Sequence, residues 1–187
     1  MNRQCVIPAL PAVANADPAE RLAFLFDAHY DRLYRLARRL APGADDALDL
    51  VQETFLKAAR RPQSIPAGAS NEEAWLVRVL VNIRRDQWRK ASVRARHEEE
   101  AFRGSRSGSS TRNPEMVLVA KAAVWKALDV LPPRRRAIVV MHELEELPVP
   151  RIASLLGISV ITVRWHLSRG RRDLARALKA SGGVTHE

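Results

Sequence analysis

The stretch RIASLLGISVITVRWHL, residues 151–167, holds the side chains most able to engage a ligand, and its apolar positions show how they would be held. Ala153, Gly157 and Val163 fall four and then six residues apart. A small residue lets two helices approach, glycine permits a left-handed turn, and a β-branched residue plugs the second helix onto the first. This is the pattern of a helix-turn-helix, with Leu156, Ile158 and Leu167 completing its core. An ordinary helical hairpin would share those apolar positions. It would not need an exposed face carrying Arg164, Trp165, His166, Arg169, Arg171, Arg172 and Arg176 against Asp173 alone. In a major groove, residues near the helix start reach base edges while later arginines hold phosphates. The expected duplex contacts are therefore Ser159, Thr162, Arg164, Trp165, His166, Arg169, Arg171 and Arg172. Two readings of Trp165 stay open: stacking on a thymine methyl or sugar, or folding back as a packing residue. His166 reads as a polar contact, since no second metal ligand lies at suitable spacing.

Catalytic arrangements are harder to find. His142-Glu143-Leu144-Glu145-Glu146 approaches the H-E-x-x-H zinc motif, but Glu146 stands where the second histidine must be. Asp45, Asp46, Asp49 and Glu53 could mimic a nuclease metal site, but acids at helical spacing read first as a solvated face. Neither a glycine-rich phosphate loop nor a Ser-His or Cys-His arrangement is present. The expectation is a non-enzyme with no catalytic residue, no metal and no cofactor.

Bulk properties agree with a polyanionic partner. Lysine and arginine number 31 against 21 acids, a net charge of +10, and each phosphate neutralised by such a surplus releases counterions. The excess sits in two blocks, residues 21–91 and 116–187. Cys5 is the only cysteine, so no internal disulfide can form. The opening stretch CVIPALPAVANA mimics a short secretory signal, but Pro8 and Pro11 interrupt it. No apolar run approaches a membrane span, and the expected location is cytoplasmic, without membrane insertion.

The elements that must carry these residues are all helical. Asp17-Pro18-Ala19-Glu20 is a helix start with an N-cap acid and a proline in the first turn. Leu22, Leu25, Phe26, His29, Leu33, Leu36, Ala37 and Leu40 then recur at helical spacing until Pro42-Gly43. A second helix is predicted over about 44–60, with Ala44, Leu48, Val51, Phe55 and Ala58 as its buried stripe. Ser70-Asn71-Glu72-Glu73 reads as a capping box opening a third helix to about Lys90. Residues 92–115 carry charge runs, then Gly, Ser and Arg, and read as a flexible linker. Beyond it, helices are expected over 116–131, 134–144, 150–156 and 159–180. The domain plan is a disordered extension (1–18), a first helical domain (19–91), the linker (92–115), a second helical domain (116–180) and a frayed tail (181–187). The fold class is all-α, two small helical domains joined flexibly.

Two segments carry a family resemblance. ALDLVQETFLKAAR, residues 47–60, is similar to the core-binding helix of extracytoplasmic-function sigma factors within the sigma-70 family, and AWLVRVLVNIRRDQWRK resembles the family segment that reads and opens the −10 element. Residues 128–178 follow the family's −35-reading domain almost without gaps. The resemblance implies sigma domain 2 over 19–91, a helical bundle, and sigma domain 4 over 116–180, a helix-turn-helix domain. It implies that Leu48, Asp49, Gln52 and Glu53 dock on the β′ clamp helices of core RNA polymerase, carboxylates suiting a basic partner. It also implies contacts to the β subunit, to promoter DNA and to an anti-sigma factor. For the −10 element it points to Gln63, Ser64 and Asn71 in the loop that receives a flipped base, and to Arg78, Asn82, Arg85, Asp86 and Arg89 on the helix. Bottom-up, Arg78, Asn82, Arg85 and Arg89 share one stripe. Trp75 is expected to pack in the core, while Trp88 is an open question.

There are departures from the family pattern. Pro148, Pro150 and Arg151 stand where the family has a serine cap followed by acids, and Trp165-His166 replace a small and a basic residue. The alternative reading is a stand-alone helix-turn-helix regulator, which would bind a duplex by itself, usually as a dimer on a palindrome.

Overall fold

A computed structural model of the chain describes residues 17–101 and 124–182. Every regular element among the described residues is a helix, and there is no strand. The first lobe holds α1 (Pro18–Leu40), α2 (Ala44–Arg60), a 3₁₀ turn (Pro62–Ser64) and α3 (Ala69–Ala101). The second holds α4, described over residues 124–129, then α5 (Pro133–Glu143), α6 (Val149–Leu156) and α7 (Val160–Gly182). The expected terminal extension, the cap at residues 113–115 and most of the linker and tail lie outside the described residues.

In the first lobe α1 and α2 pack as an antiparallel pair across the Pro42-Gly43 turn, and α3 closes the bundle. Asp17 caps α1, its carboxylate accepting from the Ala19 amide at 3.5 Å. Leu25, His29, Leu33, Leu36, Ala37 and Leu40 face the core. Phe26, expected in that stripe, is exposed and makes tilted ring contacts at the rim with Tyr30 and Phe55. The stripe on α2 is also rotated from the expected one. Ala47, Leu50, Val51, Thr54, Phe55 and Ala58 are buried, whereas Ala44 is exposed and Leu48 half-exposed. Thr54 can sit inside because its hydroxyl donates to the Leu50 carbonyl at 2.8 Å.

The start of α3 differs from the capping box read in the sequence. The helix begins one residue before Ser70, after Gly68 at φ +96°. The Gly68 carbonyl takes the first-turn amides of Asn71 and Glu72. Glu73 does not close a box: its carboxylate pairs with Arg32 and with Arg151. At its other end α3 runs past Lys90 to Ala101. No glycine or proline occurs there before Gly104, and the alanines, arginines and glutamates of residues 91–101 are good helix formers. A charged stretch with no apolar period can be a solvated helix as well as a linker.

The second lobe is built on the helix-turn-helix. Gly157, at φ +63°, ends α6, and the following amide of Ile158 returns to the Ala153 carbonyl at 3.1 Å. The Ser159 hydroxyl caps α7 by accepting from the Thr162 amide at 3.1 Å. Ile152, Leu155, Val163 and Leu167 fill the space between α6, α7 and α5. Truncating a buried leucine of this kind costs about 2–5 kcal/mol. Gly170 is the point of closest approach: a Cβ there would lie 2.6 Å from Val139 Cγ2 and 3.3 Å from Arg135 Cγ. Its lack of a side chain thus sets how α7 lies on α5.

The two lobes are in contact. α3 packs on α5 and α6, and α1 packs on α5. Arg136, 4% exposed, donates to the Arg39 carbonyl at 2.6 Å and pairs with Asp129. Glu145 receives Arg39 at 3.3 Å and Arg32 at 3.8 Å. Arg151 pairs with Glu73 and donates to the Ser70 hydroxyl at 2.9 Å. Arg151 is one of the departures from the family pattern, and its structural use is this junction.

Candidate nucleic-acid interface

Three surfaces collect the residues singled out in the sequence. The outer face of α2 exposes Asp49 and Gln52, with Glu53 partly exposed beside them. Glu53 lies 3.9 Å from Lys57 and accepts from Gln87 at 3.5 Å. Leu48 and Gln52 border an open apolar groove whose walls are Leu22, Phe26, Phe55 and Leu56. The acidic face therefore adjoins exposed apolar surface, a combination that a partner helix can cover.

The second surface runs along α3 and the loop before it. Arg78, Asn82 and Arg85 are partly exposed, and Asp86 and Arg89 are exposed. Arg85 pairs with neighbouring Asp86 at 3.5 Å. Arg78 sits at the lobe junction, where its guanidinium lies against Gly157. The loop residues Gln63, Ser64 and Asn71 are exposed. Ser64 donates to the Arg61 carbonyl at 2.8 Å and Asn71 to the Ala67 carbonyl at 3.0 Å, so both are partly committed to holding the loop. Arg21 fixes the same loop from α1 through the Ile65 carbonyl at 2.9 Å.

Ser64 also lines an open pocket with Lys57, Arg60, Arg61, Trp75 and Val79. Sequence reading assigned none of these neighbours a role in binding. Trp75 packs against the core as expected, and it also lends an aromatic surface to this cationic pocket. The basic residues at the end of α2 and the tryptophan of α3 are brought together only by the packing of the two helices. Trp88 is exposed on α3, with no ring partner among the described residues.

The third surface is α7. Arg164, Trp165, Arg169, Arg171 and Arg172 are exposed, and Thr162 and His166 are half-buried. Arg171 is engaged by Glu143, with Nε and Nη2 at 2.9 and 2.7 Å from one carboxylate oxygen. Arg164, Arg169 and Arg172 have no ion pair among the described residues. Ser159 spends its hydroxyl on the cap and on a 2.8 Å hydrogen bond with Thr162. Burial, with Arg135 and Arg134 nearby, holds the His166 imidazole below its ordinary pKa, so the ring is neutral around pH 7. Trp165 does not fold into the core: it is 55% exposed, backed by Arg135, whose guanidinium carbon lies 5.7 Å from the ring centre. Arg135 is in turn paired with half-buried Asp173 at 2.6 Å.

No group of histidine, cysteine and acidic residues suited to a metal occurs among the described residues. None of the described helices is long and apolar enough to cross a membrane.

A helical lobe with an acidic docking face, joined to a helix-turn-helix lobe with a cationic reading helix, defines a class of DNA-directed, partner-binding proteins. Comparison with known proteins narrows the class. Residues 25–94 match the model of sigma-70 region 2, and residues 121–174 that of sigma-70 region 4. The chain is 38% identical over 149 residues to the ECF RNA polymerase sigma factor SigE of Mycolicibacterium smegmatis, the match covering 78% of this chain and 57% of that protein. It is 31% identical over 150 residues to the RNA polymerase sigma-E factor of Streptomyces avermitilis, covering 80% of each. Among solved structures, it resembles the sigma factor RpoE in its co-crystal with the anti-sigma factor NepR from Bartonella quintana. That likeness has a TM-score of 0.56 at 25% identity and covers 90% of this chain and 98% of the other. The chain belongs to the sigma-70 family of transcription initiation factors, in its extracytoplasmic-function (ECF) class.

Proposed function

We propose that this chain binds core RNA polymerase in the cytoplasm and directs it to promoters by reading −10 and −35 elements. The observation that carries the reading is the pairing, in one chain, of a region 2 lobe and a region 4 lobe with distinct surfaces. Asp49, Gln52 and Glu53, with Leu48 at the groove edge, dock on the β′ clamp helices, where carboxylates meet a basic partner. The pocket around Ser64, with Trp75 as stacking surface and Lys57, Arg60 and Arg61 drawing in phosphates, receives an unpaired base of the −10 strand. Gln63 and Asn71 flank that base, and Arg78, Asn82, Arg85, Asp86 and Arg89 line the path of the strand. Ser159 and Thr162 face the groove at the start of α7, Arg164, Trp165 and His166 follow, and Arg169, Arg171 and Arg172 hold phosphates of the −35 duplex.

Promoter geometry requires the lobes to part. Elements about 25 base pairs apart lie roughly 85 Å from one another at a rise of about 3.4 Å per pair. A compact body of about 150 residues has a radius of gyration near 15 Å. In the closed arrangement, moreover, Arg78 is held against the helix-turn-helix. The Glu73–Arg151 pair and the pairs of Glu145 with Arg32 and Arg39 therefore break on promoter binding, and the segment between the lobes spans the gap. An anti-sigma factor, such as the one bound to the Bartonella relative, would act by keeping the lobes together.

Gel shift with and without core polymerase separates this reading from the stand-alone regulator. The expected result is promoter binding only with core. Charge reversal, Asp49→Lys with Glu53→Lys, abolishes core capture in a pull-down while helicity is retained. Tight binding to a palindrome without polymerase, or undiminished capture of core by the reversed variant, would overturn the proposal.

A further inference from the structure

Ile161 is the most exposed large apolar residue among the described residues, at 77%. It is the second residue of α7, two positions beyond the Ser159 cap, and was not among the reading residues expected from sequence. Helical spacing places it one turn before Trp165, on the same stripe. The two together make an apolar ridge at the N-terminal end of the helix. Arg164 and Arg169 lie on either side of it, exposed and without ion pairs among the described residues. Apolar surface left bare between cations is hard to account for by folding. Val163 and Leu167 already plug α7 into its core, so Ile161 adds nothing to packing within the lobe.

The ridge is also held in place. Arg135 backs the Trp165 ring, and the Asp173 carboxylate fixes Arg135, both of those side chains being about 15% exposed. Gly170, one turn beyond the ridge, gives Arg135 room between α5 and α7. The indole is thus propped outward from behind.

From this we infer that Ile161 and Trp165 are specificity-determining residues that read the C5-methyl of a pyrimidine in the −35 major groove. The inference rests on the function proposed above and deepens it. In the major groove the one apolar feature among base edges is that methyl, carried by thymine; a 5-methylcytosine would present the same group. The flanking arginines supply the phosphate contacts that bring the ridge against the bases. Asp173 and Arg135 act as positioning residues, through Trp165. The motif favours thymines on the strand facing the first turns of α7.

The test uses the chain assembled with core polymerase. Duplexes selected from a library randomised across the −35 region give the preferred element. Each thymine is then replaced by deoxyuridine, which removes only the methyl, and each cytosine by 5-methylcytosine, which adds one. The expected result is a loss of about three- to fivefold in affinity at one or two deoxyuridine positions. Ile161→Ala and Trp165→Ala lose affinity for the thymine duplex and no longer distinguish it from the deoxyuridine one, as coupled partners must. A gain with 5-methylcytosine that Ile161→Ala erases would also support methyl reading, with the methylated base as its source. If an element is selected but neither substitution changes binding, or if both variants still sense the methyl, this inference is wrong while the sigma-factor reading stands. If no −35 preference is selected at all, both fail.

Discussion

Arginine serves opposite ends at the lobe junction and on α7. At the junction Arg136 is buried, with Asp129 and the Arg39 carbonyl as partners, and Arg32, Arg39 and Arg151 are spent on Glu73 and Glu145. On α7, Arg164, Arg169 and Arg172 stand in solvent without an acid among the described residues. A count of basic residues cannot separate these two sets. What separates them is whether the fold has supplied a carboxylate. The unpaired arginines have only a phosphate to gain, and the paired ones must give up a partner before they can take one.

That contrast can be broken by substitution. Arg136→Ala removes two hydrogen bonds and leaves the Arg39 carbonyl inside the junction, so it should cost on the order of 2–3 kcal/mol in urea unfolding. Arg169→Ala, on the open face, should change stability by less than about 0.5 kcal/mol, while reducing the salt dependence of promoter binding by about one unit of slope. Equal stability losses would erase the distinction. Gly170→Ala tests the scaffold behind the open face. The new methyl meets Val139, and overpacking of that kind costs about 1–3 kcal/mol, outweighing the usual helical gain of alanine over glycine. A stabilised variant would show that α7 is free to shift.

The smallest effect concerns pH. Because the folded lobe holds His166 below its ordinary pKa, the unfolded chain takes up the proton first as pH falls. Stability is fully present above the ordinary imidazole value and declines as pH drops from there through the folded-state value. His166→Gln should flatten that slope in thermal unfolding between pH 7.5 and 5.5. A wild-type lobe that gains stability on acidification would contradict the assignment.

The sequence made the helices legible wherever local chemistry fixes them. Asp17, the Pro42-Gly43 break, Gly157 and Ser159 each act within a turn of their own position, and all four mark the boundaries found in the structure. Misreadings arose where a distant partner decides. Ser70 and Glu73 have the spacing of a capping box, but Arg151, 78 residues from Glu73, claims both. On α2, Val51, Phe55 and Ala58 are buried as their spacing predicts, but Ala47, Leu50 and Thr54 take the places expected of Ala44 and Leu48, because α1 and α3 close over that side. Ile161, an isoleucine in a helical pattern, counts first as core. Only its exposure shows otherwise. The pocket at Ser64 was half-seen: the loop was evident, but Trp75 and the α2 cations enter it through tertiary packing.

Transcription reconstituted from purified core polymerase and this chain tests the central claim most directly. Genomic DNA fragments serve as template, and the 5′ ends of the products are sequenced. The account predicts initiation at discrete sites sharing two motifs about 25 base pairs apart, lost when Asp49 and Glu53 are reversed to lysine. Initiation that is no more site-specific than with core alone would contradict it.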